Sequence, residues 1–194
     1  MPLYFAYGSN MDRDAMARRC PASKPLGLAR LPRHRFVIMR EGYASVVRDP
    51  RREVLGMLWD LALADVPALD RYEGVTGGLY TKVHQSVIGQ AGSRRALVYV
   101  GRDPGPGVPR PGYMETVVAA GRKAGLPEAY LRELGRLSPR VQKADPAKGF
   151  AAIGLQVWPG TPSSSAGSAR GVTPRRTSPL QPERDPNAGW SWEP

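Results

Sequence analysis

Cysteine and histidine are nearly missing from this chain of 194 residues: Cys20 is the one thiol, and His34 and His84 are the two imidazoles. A lone cysteine cannot close an internal disulfide, which excludes a disulfide scaffold and fits a reducing compartment. Together these three residues fall short of a Cys/His zinc set, so no such metal site is expected. No run approaches the roughly 18 to 20 consecutive apolar residues of a membrane span, and no basic segment followed by an apolar one opens the chain. A cytoplasmic protein without membrane attachment is the resulting expectation.

Acidic residues are few beside basic ones, 17 against 28, leaving a formal charge of +11. Such an excess suits a polyanion binder. Here, however, the cations are scattered, as at Arg18-Arg19, Arg51-Arg52 and Arg94-Arg95, and no aromatic strand pattern of the RNA-binding type interleaves them. No specific nucleic-acid partner is therefore expected.

Hydrophobic residues, by contrast, reach 41%, enough for one core, and glycine and proline are abundant at 22 and 20. The prolines crowd toward one end. From Pro159 the chain reads PGTPSSSAGSARGVTPRRTSP, with seven prolines through Pro194 and only Val172 and Leu180 as aliphatics. Such a segment cannot bury enough apolar surface to offset its ordering entropy. A folded domain over 1–158 and a disordered Pro/Ser/Arg-rich tail over 159–194 are expected.

Within the folded part, LYFAY (Leu3–Tyr7) reads as a strand covered on both faces. Asp12 caps a short helix through Arg19, and Pro21 stops it. Leu26–Leu31, Arg35–Met39, Ala44–Val47 and Val54–Leu61 read as strands, with Arg48-Asp49-Pro50-Arg51-Arg52 as the turn between the last two. A second helix starts at Asp65, tolerates Pro67 in its first turn and ends at Gly74. Leu79–Ile88 and Arg95–Val100 form another strand pair. Two helices follow, Tyr113–Ala124 with Gly125 as its stop, and one from Pro127 to about Leu137. The count is six to eight strands without regular strand–helix alternation, an α+β arrangement.

Two places invite chemistry. Gly8-Ser9-Asn10 follows the first strand and precedes a helix, so it is either an ordinary turn or a loop aiming backbone N–H groups at a carboxylate or oxyanion. Glu73 closes the second helix, before Gly74, Gly77 and Gly78. It is either an exposed residue before a glycine cap, or a carboxyl whose pKa is raised by the helix dipole and apolar neighbours toward what proton transfer at neutral pH requires.

The segments YFAYGSNM, EVLGMLWDL, LDRYEGVTGGLY, ALVYV and GYMETVVAAGRKAGLPEAYLREL occur here in the order found in the gamma-glutamylcyclotransferase family. The chain resembles that family over residues 2 to 137. The resemblance implies a cyclotransferase-like fold, a mixed β-barrel with packed helices, and a small-molecule gamma-glutamyl substrate. It also implies residues: Tyr7, Gly8, Ser9 and Asn10 as the signature loop around the glutamyl end, Glu73 as the catalytic acid/base, and Tyr80 and Tyr113 as substrate-contacting tyrosines. The implied reaction releases 5-oxoproline by attack of the substrate's α-amino group on its own γ-carbonyl, and it requires no metal, nucleotide or other cofactor. The stretches Arg40–Tyr43 and Asp103–Gly112 are expected beside the leaving group. A member that kept the site but acts as a small-molecule binder or regulatory module is the alternative. Ser9 with His34 or His84 as base, and Cys20 with His84, are the other nucleophile pairings weighed; neither has a recognisable motif.

Overall fold

In the computed structural model, residues 2–138 are described; the expected boundary at 158 and the tail 159–194 lie outside them. Five strands lie among these residues: β1 (Leu3–Ala6), β2 (Lys24–Ile38), β3 (Ala44–Asp60), β4 (Tyr80–Gly89) and β5 (Gly92–Gly101). Four helices accompany them: α1 (Arg13–Arg19), α2 (Val66–Tyr72), α3 (Tyr113–Ala124) and α4 (Glu128–Gly135). The strands close into a barrel in the order β1-β3-β2-β4-β5. The pairings are antiparallel except β1 with β5, which is parallel. The mixed barrel with packed helices is thus what the sequence resemblance implies.

β1 is the closing element. It is buried throughout and its side chains alternate, as a strand's period of two demands. Leu3 and Phe5, with Tyr7 just beyond, join a core built almost entirely from strands, whereas Tyr4 and Ala6 join the core that also takes in Met114 and Val117 of α3 and Leu131 and Leu134 of α4. Gly56 of β3 lets β1 approach: a Cβ there would overlap the Ala6 carbonyl oxygen and stand 2.9 Å from Phe5 Cζ.

The expectation of six to eight short strands is corrected to five, because β2 and β3 each run through what looked like breaks. The segment Arg48–Arg52 is no turn but part of β3. His34 lies opposite Arg48 and Pro32 opposite Glu53, so four residues of β3 face the single Arg33. That bulge puts Arg33 at φ 60 and leaves Pro50 where no ladder hydrogen bond is required of it. A second shift, between Pro25 and Gly27, leaves Leu26 unpaired, with Gly27 at φ 112. The irregularities absorb the residues that read as strand ends.

The helix signals hold. Asp12 accepts from Asp14 N–H at 2.9 Å and Ala15 N–H at 3.0 Å, capping α1. α3 runs between Gly112 at φ 77 and Gly125 at φ 91.

Candidate active site

Past β1 the chain turns at Gly8 into a single 3-10 turn, Ser9–Met11, closed by Met11 N–H to Gly8 C=O and Asp12 N–H to Ser9 C=O, both 3.1 Å. The turn buries Asn10 at 3% exposure. It also leaves the N–H groups of its first residues without intrahelical acceptors.

Glu73 arrives from the other side, as the C-terminal cap of α2, its N–H bonded to Leu69 C=O at 2.9 Å. Gly74, at φ 61, reverses the chain, and Leu79 N–H returns to Gly74 C=O at 3.0 Å. The carboxyl therefore meets the Ser9–Met11 turn. Glu73 Oε1 accepts from Asn10 Nδ2 at 2.8 Å and from Tyr4 Oη at 3.4 Å, and Asn10 Nδ2 also donates to Tyr4 Oη at 3.1 Å. Burial raises the Glu73 pKa from 4.5 to about 7; the Arg19 charge and the hydrogen bonds from Tyr4 and Asn10 pull down, while Asp70 adds a smaller upward push. A carboxyl so poised exchanges a proton near neutrality.

Ser9 Oγ lies 3.1 Å from Tyr72 Oη, and the Arg19 guanidinium sits over the Tyr72 ring, 3.2 Å from its centroid. Gly8 faces Tyr113, whose hydroxyl would be 3.3 Å from a Cβ at position 8. The hydroxyls of the three expected tyrosines are engaged by backbone. Tyr7 donates to Tyr99 C=O at 2.5 Å, Tyr80 donates to Ala44 C=O at 2.6 Å, and Tyr113 accepts from Ala44 N–H at 3.1 Å. Burial, then nearby charge, pushes all three phenols up, so they stay protonated.

The two stretches expected beside the leaving group pack on each other. Arg110 N–H donates to Gly42 C=O at 3.2 Å and Arg110 Nε to Glu41 C=O at 3.0 Å, while Gly107 N–H reaches back to Ile38 C=O, at the end of β2, at 3.0 Å. The Arg110 guanidinium lies 4.7 Å from the Tyr43 ring centroid, and Tyr43 meets Tyr113 edge-on at 5.3 Å. This clasp adjoins Tyr113 and through it Gly8.

Neither histidine joins Ser9. His34 Nδ1 is 2.8 Å from Pro32 C=O, and His84 lies opposite Leu97 in the β4–β5 ladder. Cys20 is buried against the Asp65 carbonyl, and burial pushes its thiol up to about 11, the reverse of an activated nucleophile. Among the described residues no cluster of three or more His, Cys, Asp or Glu could hold a metal, and no helix is long and apolar enough to cross a membrane.

Two residues at the carboxyl escaped the sequence reading. In the sequence Tyr4 reads only as strand; the alternation in LYFAY that sends Tyr4 and Tyr7 to different cores is the available signal. Arg19 is one among many scattered cations.

Residues 53–134 match the AIG2-like family. The chain is 27% identical to a gamma-glutamylcyclotransferase of Bos taurus and 28% identical to one of Mus musculus, each over 154 residues, 73% of this chain and 81% of the relative. A solved gamma-glutamyl cyclotransferase structure superposes with a TM-score of 0.66 at 25% identity, covering 73% of this chain and 90% of that one. A solved Homo sapiens protein gives 0.65 at 27% identity, over 72% and 89% of the two chains. In sequence and in fold the chain resembles the gamma-glutamylcyclotransferases.

Proposed function

We propose that this chain is an enzyme of the gamma-glutamylcyclotransferase type, releasing 5-oxoproline from a gamma-glutamyl amino acid or amine. The observation that carries the reading is the Glu73 carboxyl, held 2.8 Å from Asn10 Nδ2 at the signature turn with its pKa raised to about 7.

In the proposed reaction the α-ammonium of the bound substrate gives a proton to the Glu73 carboxylate, and the freed amine attacks the γ-carbonyl carbon. The new C–N bond closes the five-membered ring while the carbonyl oxygen becomes an oxyanion. Amide N–H groups of the Gly8-Ser9-Asn10 turn are suited to receive that charge, each worth on the order of 3 kcal/mol. As the tetrahedral centre collapses, the original amide C–N bond breaks and Glu73 gives its proton to the departing nitrogen, while the ring nitrogen, still carrying two hydrogens after the attack, loses one as a proton to the regenerated carboxylate and through it to the released amine, which leaves as an ammonium. One carboxyl serves both steps, and no other reactant is consumed.

Tyr7, Tyr80 and Tyr113 are proposed to bound the substrate with their rings, since their hydroxyls hold the backbone at Tyr99 and Ala44. The clasp of Arg40–Tyr43 with Asp103–Gly112 is proposed to meet the leaving group. The test is a 5-oxoproline assay over a panel of gamma-glutamyl amino acids and amines. Release from at least one substrate, abolished in Glu73→Gln, is expected; no release across the panel, or substantial turnover by Glu73→Gln, sinks the reading.

A further inference from the structure

The Asn10 amide has two ends, and each meets a group of fixed polarity. Its Oδ1 accepts from the Arg19 guanidinium. Its Nδ2 donates to Glu73 Oε1 and Tyr4 Oη. A guanidinium can only donate and an ionised carboxylate can only accept. Turning the amide over would set its NH2 against the guanidinium and its oxygen against the carboxylate, losing both hydrogen bonds and adding two repulsions. Arg19 is held independently of Asn10: its guanidinium sits over the Tyr72 ring, a cation–π contact, and the Tyr72 hydroxyl is tied to Ser9.

We infer that Arg19 is a positioning residue for the reaction proposed above: it fixes which way the Asn10 amide faces and sets a permanent positive charge beside the Glu73 carboxyl. The inference rests on Glu73 being the acid/base.

The other groups around Glu73 leave that charge to Arg19. Tyr4 and Tyr7 from β1 and its extension, and Tyr80 from β4, are phenols pushed up chiefly by burial. Tyr99 from β5 and Tyr113 from α3 are likewise raised. Cys20, next to Arg19, is raised to about 11. All six are neutral at working pH. Asp70 on α2 is an anion, but it is paired with Lys82 Nζ at 2.6 Å and accepts from Tyr99 Oη at 2.6 Å. Arg19 is the charge that opposes burial of the carboxylate.

The experiment compares wild type, Arg19→Gln and Arg19→Lys as full chains, with two readouts. One is the carboxyl titration of Glu73 by NMR of side-chain-labelled glutamate, assigned by its loss in Glu73→Gln. The other is kcat and KM for 5-oxoproline release across the pH range. In Arg19→Gln, the Glu73 titration and the acid limb of kcat/KM are both expected to move up by about one pH unit or more. There kcat falls while KM changes less than about twofold. Arg19→Lys, which keeps charge but not the planar fork, is expected to hold the titration near the wild-type midpoint with kcat reduced; it also answers the question if the Gln variant does not fold. An unmoved Glu73 midpoint in Arg19→Gln, or a midpoint moved as far by Lys as by Gln, overturns the inference. So does a KM raised about tenfold with an unmoved acid limb, which would make Arg19 a contact to the substrate's carboxylate. If the NMR midpoint moves but wild type releases no 5-oxoproline, the reaction fails while the Arg19 linkage stands.

Discussion

Asn10 Nδ2 and Glu73 Oε1 lie 2.8 Å apart across 63 residues of chain. The pair joins the two segments that look separately unremarkable, a small-residue turn and the residue that caps a two-turn helix. It also makes Asn10 more than a turn former, because its amide reaches the carboxyl that the proposed chemistry uses.

Removing that amide tests its weight. A hydrogen bond to a charged group contributes about 1.5–3 kcal/mol, so Asn10→Ala is expected to lower kcat/KM by roughly tenfold to a hundredfold. It also raises the Glu73 midpoint, since the Asn10 bond favours the ionised form. Unchanged kinetics in a folded variant would reduce Asn10 to a packing residue.

Glu73 itself links activity to stability in opposite senses. Its pKa rises from 4.5 to about 7 in the folded chain, so the folded state holds the proton more tightly. The carboxyl then costs nothing below about pH 4.5, and its penalty grows as pH rises and is complete above about 7, on the order of 3 kcal/mol. Glu73→Gln should therefore unfold at higher denaturant than wild type near pH 8, with the difference vanishing near pH 4.5, while losing 5-oxoproline release. In wild type, kcat/KM should climb with pH through about 7 as the base ionises. Equal unfolding midpoints at both pH values would place the carboxyl in water.

Tyr80 separates ring from hydroxyl. Its Oη donates to Ala44 C=O at 2.6 Å in a buried setting, and an orphaned buried carbonyl costs about 1–3 kcal/mol. Tyr80→Phe should lose stability in that range while KM shifts little, and Tyr80→Ala should raise KM as well. A large KM change in the Phe variant at unchanged stability would assign the hydroxyl to substrate.

Gly56 carries the closest approach in the barrel. Gly56→Ala drives a methyl into the Ala6 carbonyl and the Phe5 ring, neither of which can yield without moving β1. The variant should be destabilised by about 3 kcal/mol or more or fail to accumulate; near-wild-type denaturation would show that β1 can slide.

Much of this could be read from residue patterns. The both-faces-buried β1, the Asp12 cap, the helix stop at Gly125 and the β4–β5 hairpin follow from local chemistry, and local chemistry is what a sequence displays. The long β2 and β3 do not, because Pro25, Pro32, Pro50 and Gly27 announce strand ends, and the bulges that excuse them depend on the partner strand's register. Glu73 and Asn10 were legible as candidates through the family resemblance. Tyr4 and Arg19 were not: a tyrosine in a buried strand looks like core, and one arginine among many cations is marked only by where α1 ends.

Closure of the barrel by β1 has a bearing on how the protein would wear out. The strand that seals the sheet carries Tyr4 and runs directly into Asn10, so the carboxyl's surroundings exist only while the seal holds. Heating should give no folded yet inactive species through loss of β1 alone: fraying at that seam would empty the proton site and open the strand-built core together, and inactivation and melting should follow one curve.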